Sequence, residues 1–322
     1  MPVSKKTPLA VSVVITTYGE SQTIAQLLHA LEKQSYKPTE IIVVDACSPD
    51  GTTKILRAFA RNSRVRIRHF SHAGNRSVGR NLAIRKATSA LIASTDAGCI
   101  PDVDWLQELV SKYRQTKAPV IAGYYRGMAQ TRFEEAVIPY ALVMPDKVRE
   151  DSFLPATRSM LLKKKVWQQM DGFDESLSDN EDYAFARLLK SRQIPIAFAQ
   201  KAIVSWQPRS NLPAFFVMLF RFARGDIQAR LFRMKVVFVF VRYTLLLVLS
   251  FFIVYFLEPS AMIRLWVPLG VIYSLWAVDK NVRYTPRSWF WLPILQITAD
   301  LAVMSGSLVG LLIRIKKISA QD

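Results

Sequence analysis

The sequence predicts an α/β domain built on a parallel sheet, followed by an interfacial helix and by helices that cross a membrane. Short β-branched runs alternate with helix-length amphipathic segments from Val11 to about residue 208. Beyond residue 236 the chain holds three long apolar stretches. The chain has 322 residues, 51% apolar and 21% charged, which is a globular composition with room for a core. Its two cysteines, Cys47 and Cys99, are too few for a disulfide framework or a four-ligand zinc site.

The opening MPVSKKTPLA lacks a small-residue cleavage pattern and reads as the approach to a strand rather than a signal peptide. VSVVITT (Val11 to Thr17) is that strand, and Ile24, Leu27, Leu28 and Leu31 then recur at helical spacing. EIIVVD (Glu40 to Asp45) is a second strand, followed by the turn-rich CSPDG and a helix through Ile55, Leu56 and Phe59. VRIRHF, a polar loop, a helix over Asn81 to Ala87 and the strand ALIASTD (Ala90 to Asp96) repeat the theme. In sheets of this kind the ligand sits beyond the carboxyl ends of the strands.

Leu212 to Lys235 interleaves Phe215, Phe216, Phe220 and Phe222 with Arg221, Arg224, Arg230 and Arg233. A basic, Phe-rich helix of this kind lies in the headgroup interface, or else packs on the domain as a linker helix. Val236 to Leu257 is apolar except for Arg242, and Trp289 to Ile313 carries Asp300 as its only charge. Ala261 to Val278 is shorter and holds Pro268, so it either spans or re-enters, leaving two or three spans open. The expected domains are therefore 1–211, 212–235 and 236–322. Arg224, Arg230, Arg233 and Lys235 before the first span predict a multi-pass protein of the cell membrane with its large domain on the cytoplasmic side.

The net charge is 43 − 25 = +18. Ten of the basic residues lie between Gly51 and Thr95 with no acid among them, which predicts an anionic ligand. Nucleic acid would account for the charge but not for the apolar stretches, so no nucleic-acid partner is expected. Polar residues gather at the strand ends: Thr17, Tyr18 and Glu20, then Asp45 and Asp50, then Asp96. Such acids can accept hydrogen bonds from a base or ribose, or hold a divalent cation. Neither GxGxxG nor GxxxxGK[ST] is present. His29, His69 and His72 lack metal-ligand spacing.

VSVVITTYGE, EIIVVDACSPDGT, GNRSVGRN, TDAGCIPD and GFDESLSDNEDYAFARLL, in this order, resemble the family 2 glycosyltransferases of the GT-A fold over about residues 11–208. The resemblance implies inverting sugar transfer from a nucleotide-diphosphate donor; the apolar stretches point to a lipid-linked or membrane-proximal acceptor, and the lack of a processive-synthase motif to a non-processive enzyme. The resemblance places Asp45 against the donor base with Thr17, Tyr18 and Glu20 shaping the pocket, Arg80 toward the pyrophosphate, and Asp96 on the ribose and a magnesium or manganese ion. It makes Asp182 the general base, with Glu181 orienting it or the acceptor. Asp182 and Glu181 also look like helix-start acids. Gly98 stands where the family has the second acid of its Asp-x-Asp motif; Asp102 and Asp104 are expected to cap the next helix instead. Trp206 either stacks on a sugar or packs on the interfacial helix. The Gln-x-x-Arg-Trp motif of processive synthases is absent, the corresponding stretch reading LFRFARGD. Two other readings stand beside this one: transfer to a polyprenyl phosphate, and a catalytically degenerate scaffold that binds nucleotide sugar or lipid.

Overall fold

The computed structural model describes residues 8–256 and 259–319, so the first seven residues and Leu257, the end of the first expected span, lie outside it. The chain forms two compact units, Met1–Gly127 with Pro145–Gln207, and Met128–Met144 with Pro208–Asp322.

The first unit follows the alternation read from the sequence: β1 (Val11–Thr17), α1 (Ile24–Glu32), β2 (Glu40–Asp45), α2 (Thr52–Asn62), β3 (Ile67–Ser71), α3 (Arg76–Lys86) and β4 (Leu91–Ser94). Then come β5 (Cys99–Pro101), α4 (Trp105–Thr116) and β6 (Val120–Gly127). The second unit contributes α5 (Arg132–Ala141) before the chain returns as β7 (Met160–Lys163), α6 (Lys164–Gln169), α7 (Glu181–Ser191) and β8 (Ile196–Trp206). The sheet order is β3-β2-β1-β4-β7-β6-β8-β5. The first four strands are parallel as expected, but β7 runs antiparallel to β4 and β6, and β5 antiparallel to β8, so the sheet is mixed. β1 and β2 are buried along their whole lengths apart from one half-buried position, Thr16, which is why they read as continuous apolar runs.

α3 begins five residues earlier than its apolar pattern suggests. Asn75 caps it, its Oδ1 accepting from Val78 N at 3.0 Å. Asp104 occupies the N-cap position of α4 without a side-chain cap bond, and Asp102 pairs with Arg126 at 2.9 Å, so the expected capping by these acids is not formed.

In the second unit α8 (Leu212–Gln228) stops short of the expected Lys235. Arg230 turns the backbone at φ 56°, and Arg233 closes the turn on Asp226, 2.6 Å from Nε to Oδ2. α9 (Met234–Phe256), α10 (Pro259–Asn281), a 3-10 turn (Pro286–Trp291) and α11 (Leu292–Ser319) complete the chain. Met234–Phe256, Met262–Asn281 and Pro286–Lys316 are each long and apolar enough to cross a membrane. α8 and α11 meet backbone to backbone: a Cβ on Gly306 would fall 2.3 Å from Phe220 O, and one on Gly310 2.9 Å from Arg224 O. The segment 128–144, expected within the N-terminal domain, belongs here. Tyr140 Oη donates to Leu292 O at 3.0 Å, and Phe133 packs edge-on against Trp291.

The two lone charges of the apolar stretches find each other. Asp300 Oδ2 accepts from Arg242, from Tyr273 and, at 3.2 Å, from Tyr243, and Oδ1 accepts from Gln296 at 3.0 Å. One carboxylate thus ties α9, α10 and α11, as a charge among apolar helices requires. Asp300→Leu should lower the thermal midpoint of the detergent-solubilised protein, and adding Arg242→Met should recover part of the loss, because the second change removes the stranded cation.

In the first unit Glu40 is buried, its Oε1 accepting from Ser12 Oγ at 2.8 Å and Thr88 N at 2.7 Å, its Oε2 from Arg68 at 3.1 Å. Burial alone would raise its pKa, but the bonds from Thr88, Ser12 and Arg68 outweigh it and lower it from 4.5 to about 2. A depressed carboxylate contributes stability above its unfolded value that is lost as pH falls through its folded one. Glu40→Gln should therefore cost about 3 kcal/mol near neutral pH and flatten the stability profile between pH 4.5 and 2, measured by chemical denaturation.

Candidate active site

The carboxyl ends of β1, β2 and β4 lie side by side: Thr17 is paired with Asp45, and Val14 with Ser94. The loops leaving them are tied together by short hydrogen bonds. Asp45, fully buried, accepts from Ser48 N at 3.2 Å, from Ser48 Oγ, and from Thr53 Oγ1 at 2.5 Å. Ser48 Oγ in turn accepts from Gly19 N at 2.9 Å. Asp50 accepts from Ser21 N at 3.0 Å and Thr52 Oγ1 at 2.6 Å, bonds that hold its pKa well below the usual carboxylate range. Asp45, expected to meet the donor base, accepts from Ser48 and Thr53 and so braces the loop that follows β2.

The other expected pocket residues surround this brace. Tyr18 is exposed, at 64%, and Glu20 is half-buried with its carboxylate accepting from Thr23 Oγ1. Thr17 Oγ1, Ser94 Oγ and Thr95 Oγ1 are buried at the ends of adjacent strands without a hydrogen-bond partner among the described residues. Buried hydroxyls are rarely left so, and at the mouth of a sheet they suit a polar ligand.

The motifs GNRSVGRN and GFDES, about ninety residues apart, dock on one another. Asn75 Nδ2 donates to Glu175 O at 2.7 Å, and Asn81 Nδ2 to Phe173 O at 2.8 Å. Asn81 Oδ1 accepts from Phe173 N at 2.9 Å and Trp167 Nε1 at 3.0 Å. Gly172, at φ +80°, is the one residue type that fits there, since a Cβ would lie 2.7 Å from Asn81 Oδ1. This docking sets α3 beside the start of α7.

Arg80 is the result. Its guanidinium, 2% exposed, donates through Nη1 to Glu181 Oε1 at 2.8 Å and through Nη2 to Asp96 Oδ1 at 3.0 Å, and stacks over Phe173 at 5.1 Å. Burial would lower its pKa, but Glu181 and Asp96 outweigh that and raise it, so it stays charged. Burial raises the Glu181 carboxyl against the pull of Arg80. Arg80, expected to face the pyrophosphate, bridges Asp96 and Glu181. Glu181 is buried, with its Oε1 taken up by Arg80. Asp182, its neighbour at the start of α7, remains half-buried, and Asn180 at the N-cap position makes no side-chain cap bond.

Among the described residues no group of three metal-type side chains forms. A divalent ion still fits the donor set. Asp96 has one oxygen free of Arg80, and Glu20 faces the gap left by the missing second acid, its Oε2 3.7 Å from a Cβ placed on Gly98. Phosphate oxygens and water complete such shells. Asp102, turned to Arg126, takes no part. Trp206, the last residue of β8, lies under the Arg158 guanidinium at 5.3 Å. Sequence reasoning passed over Thr157, Arg158, Tyr125 and Ser48. Nothing in ATRS before an apolar strand distinguishes it from an ordinary loop; only Ser48, within the quoted CSPDG, lay in a motif.

Removing one partner from a buried ion pair typically costs about 3–5 kcal/mol. Arg80→Met should therefore destabilise the protein by roughly that amount, read from urea unfolding. Arg80→Met combined with Glu181→Gln should be less harmful than the two separate losses added together.

Residues 12–169 match the domain family described as Glycosyl transferase family 2. Glycosyltransferase AglE of Haloferax volcanii is 24% identical over 229 residues, covering 68% of this chain and 73% of that protein. The poly(ribitol-phosphate) beta-N-acetylglucosaminyltransferase TarS of Staphylococcus aureus is 25% identical over 182 residues, and that match spans only 31% of its length. In fold, the chain is similar to the mannosyltransferase PcManGT from Pyrobaculum calidifontis, solved in complex with GDP-Man and Mn2+. The TM-score is 0.65 at 17% identity, over 91% of this chain and 86% of that one. The mixed sheet, the strand-end pocket and the match over residues 12–169 give the chain a family 2 glycosyltransferase domain of the GT-A fold.

Proposed function

We propose that the enzyme moves a sugar from a nucleoside-diphosphate donor, bound over the ends of β1, β2 and β4, to a hydroxyl of a lipid-linked or membrane-proximal acceptor, with inversion. The observation that carries this reading is the Arg80 bridge. It fixes Asp96, on the donor side, relative to the start of α7, where Asp182 stands. The GDP-Man bound by PcManGT supports a diphosphate donor, and three helices of spanning length support work at a membrane.

In the transfer the acceptor oxygen attacks the anomeric carbon opposite the leaving group. Its proton passes to the Asp182 carboxylate as the new bond forms. The bond from the anomeric carbon to the phosphate oxygen breaks, and the nucleoside diphosphate departs with the electron pair. Asp96 and Glu20 would hold a divalent cation, whose chemistry when bound is to offset charge on the leaving diphosphate. Arg80 keeps Asp96 in place. Asp45 and Asp50 do the same for the loops that line the base.

Asp182→Asn retains shape and removes the base. Donor affinity should survive while turnover falls by roughly 10²–10⁴-fold, measured with the full-length protein in membranes. Asp96→Asn should abolish metal-dependent binding of UDP and GDP in calorimetric titrations. A small loss of turnover in Asp182→Asn would favour a polyprenyl-phosphate acceptor, whose oxygen is already ionised. A parent that binds donor but transfers sugar to nothing in a membrane extract would favour the scaffold reading, which the missing acid at Gly98 motivates.

A further inference from the structure

The site holds a second arginine that neither the motifs nor the bridge accounts for. Arg158 sits between two residues that are firmly placed. On one side Thr157 Oγ1 donates to Asp96 Oδ1 at 3.2 Å. On the other, Ser159 Oγ accepts from Trp105 Nε1 at 2.8 Å and donates to Ala202 O at 3.0 Å, while its backbone carbonyl accepts from Gly123 N at 2.8 Å. A Cβ on Gly123 would fall 1.9 Å from Ser159 Oγ, so β6 presses directly on this turn. β6 is bulged just beyond, between Gly123 and Tyr124, and a bulge re-aims the side chains that follow.

The Arg158 guanidinium lies over two aromatic rings, 5.4 Å from the centroid of Tyr125 and 5.3 Å from that of Trp206. Both rings are themselves buried. No hydrogen bond or ion pair engages the guanidinium among the described residues, in contrast to Arg80, Arg68 and Arg126, each of which meets a carboxylate. Asp96 and Asp182 are close enough to act on it electrostatically and help to hold it charged against the cost of burial, without pairing to it. Stacking covers the faces of a guanidinium and leaves its N–H donors pointing outward in the plane of the group. A planar cation held in this way, its donors unspent, is arranged for bidentate binding of an oxyanion.

We propose that Arg158, held against the rings of Tyr125 and Trp206, binds the diphosphate of the donor and receives the charge that develops on it as the sugar leaves. The proposal rests on the function proposed above. The anion is assigned to the donor because Arg158 follows directly on Thr157, which is bonded to Asp96. Positive charge at that point also complements a site that has lost one metal-binding acid at Gly98. An anionic acceptor, such as a lipid phosphate, offers the same chemistry from the other direction, and the test separates the two.

The full-length protein in nanodiscs is titrated calorimetrically with UDP, UMP and uridine, and with GDP, GMP and guanosine, in magnesium and again in EDTA. For whichever nucleoside diphosphate the parent binds, Arg158→Ala should weaken affinity by roughly ten- to hundred-fold, the monophosphate less, and the nucleoside not at all. Arg158→Lys should fall between, because an ammonium keeps the charge but neither stacks nor forks. Tyr125→Leu, which leaves the arginine and removes one ring, should show a smaller loss in the same order, and serves if Arg158→Ala fails to reach the parent's thermal midpoint. Unchanged diphosphate affinity in a folded Arg158→Ala protein would overturn the proposal, and a raised KM for acceptor in that protein would reassign Arg158 to an acceptor anion. A parent that binds neither UDP nor GDP would overturn the donor site as a whole, an outcome distinct from an unaffected variant.

Discussion

The buried bridge Asp96–Arg80–Glu181 is the constraint on which the catalytic arrangement depends. Its three residues come from the loop after β4, from α3 and from the first turn of α7. Such a triad is expensive to bury and gains little over an apolar packing of the same volume. What it supplies is position. Arg80 can satisfy both carboxylates only when α3 and α7 are in register, and that register is set by Asn75 and Asn81 reading the backbone of the GFDES turn. The base candidate Asp182 is carried along as the neighbour of Glu181.

The same economy of roles runs through the donor pocket. Asp45 braces its own loop through Ser48 and Thr53, and Asp50 ties that loop to the one after β1 through Thr52 and Ser21, so the pocket wall is cross-linked by hydrogen bonds. The groups left open are of another kind: the hydroxyls of Thr17 and Thr95, the exposed ring of Tyr18, and Arg158 against its rings. A preorganised site of fixed dipoles and charges stabilises developing charge without reorganising during the reaction.

The C-terminal unit solves a different problem with comparable means. Apolar helices have no hydrophobic reason to associate in lipid, and small residues and polar contacts take over. Gly306 and Gly310 let α11 approach the backbone of α8, and Asp300 gathers Arg242, Tyr243 and Tyr273 from α9 and α10.

The strands β1, β2 and β4, the polar residues at their ends, the long apolar helices and the ordered motifs of the family are legible in the chain, because periodicity, β-branching and local turn chemistry are properties of neighbouring residues. The sequence also exposes Arg242 and Asp300 as lone charges, though not as partners, since nothing local says which helices face each other. Long-range contacts set the rest: that the sheet is mixed, that 128–144 belongs with the C-terminal helices, and that α8 ends at Gln228 where Arg233 turns back to Asp226. They likewise set which charged residues are struts and which are open. Arg80 and Arg158 are alike in a sequence, each a basic residue in a polar run. They differ because two carboxylates come within hydrogen-bond distance of one, and two aromatic rings lie against the other, contacts between residues 16 to 101 positions apart in the chain that no local pattern encodes.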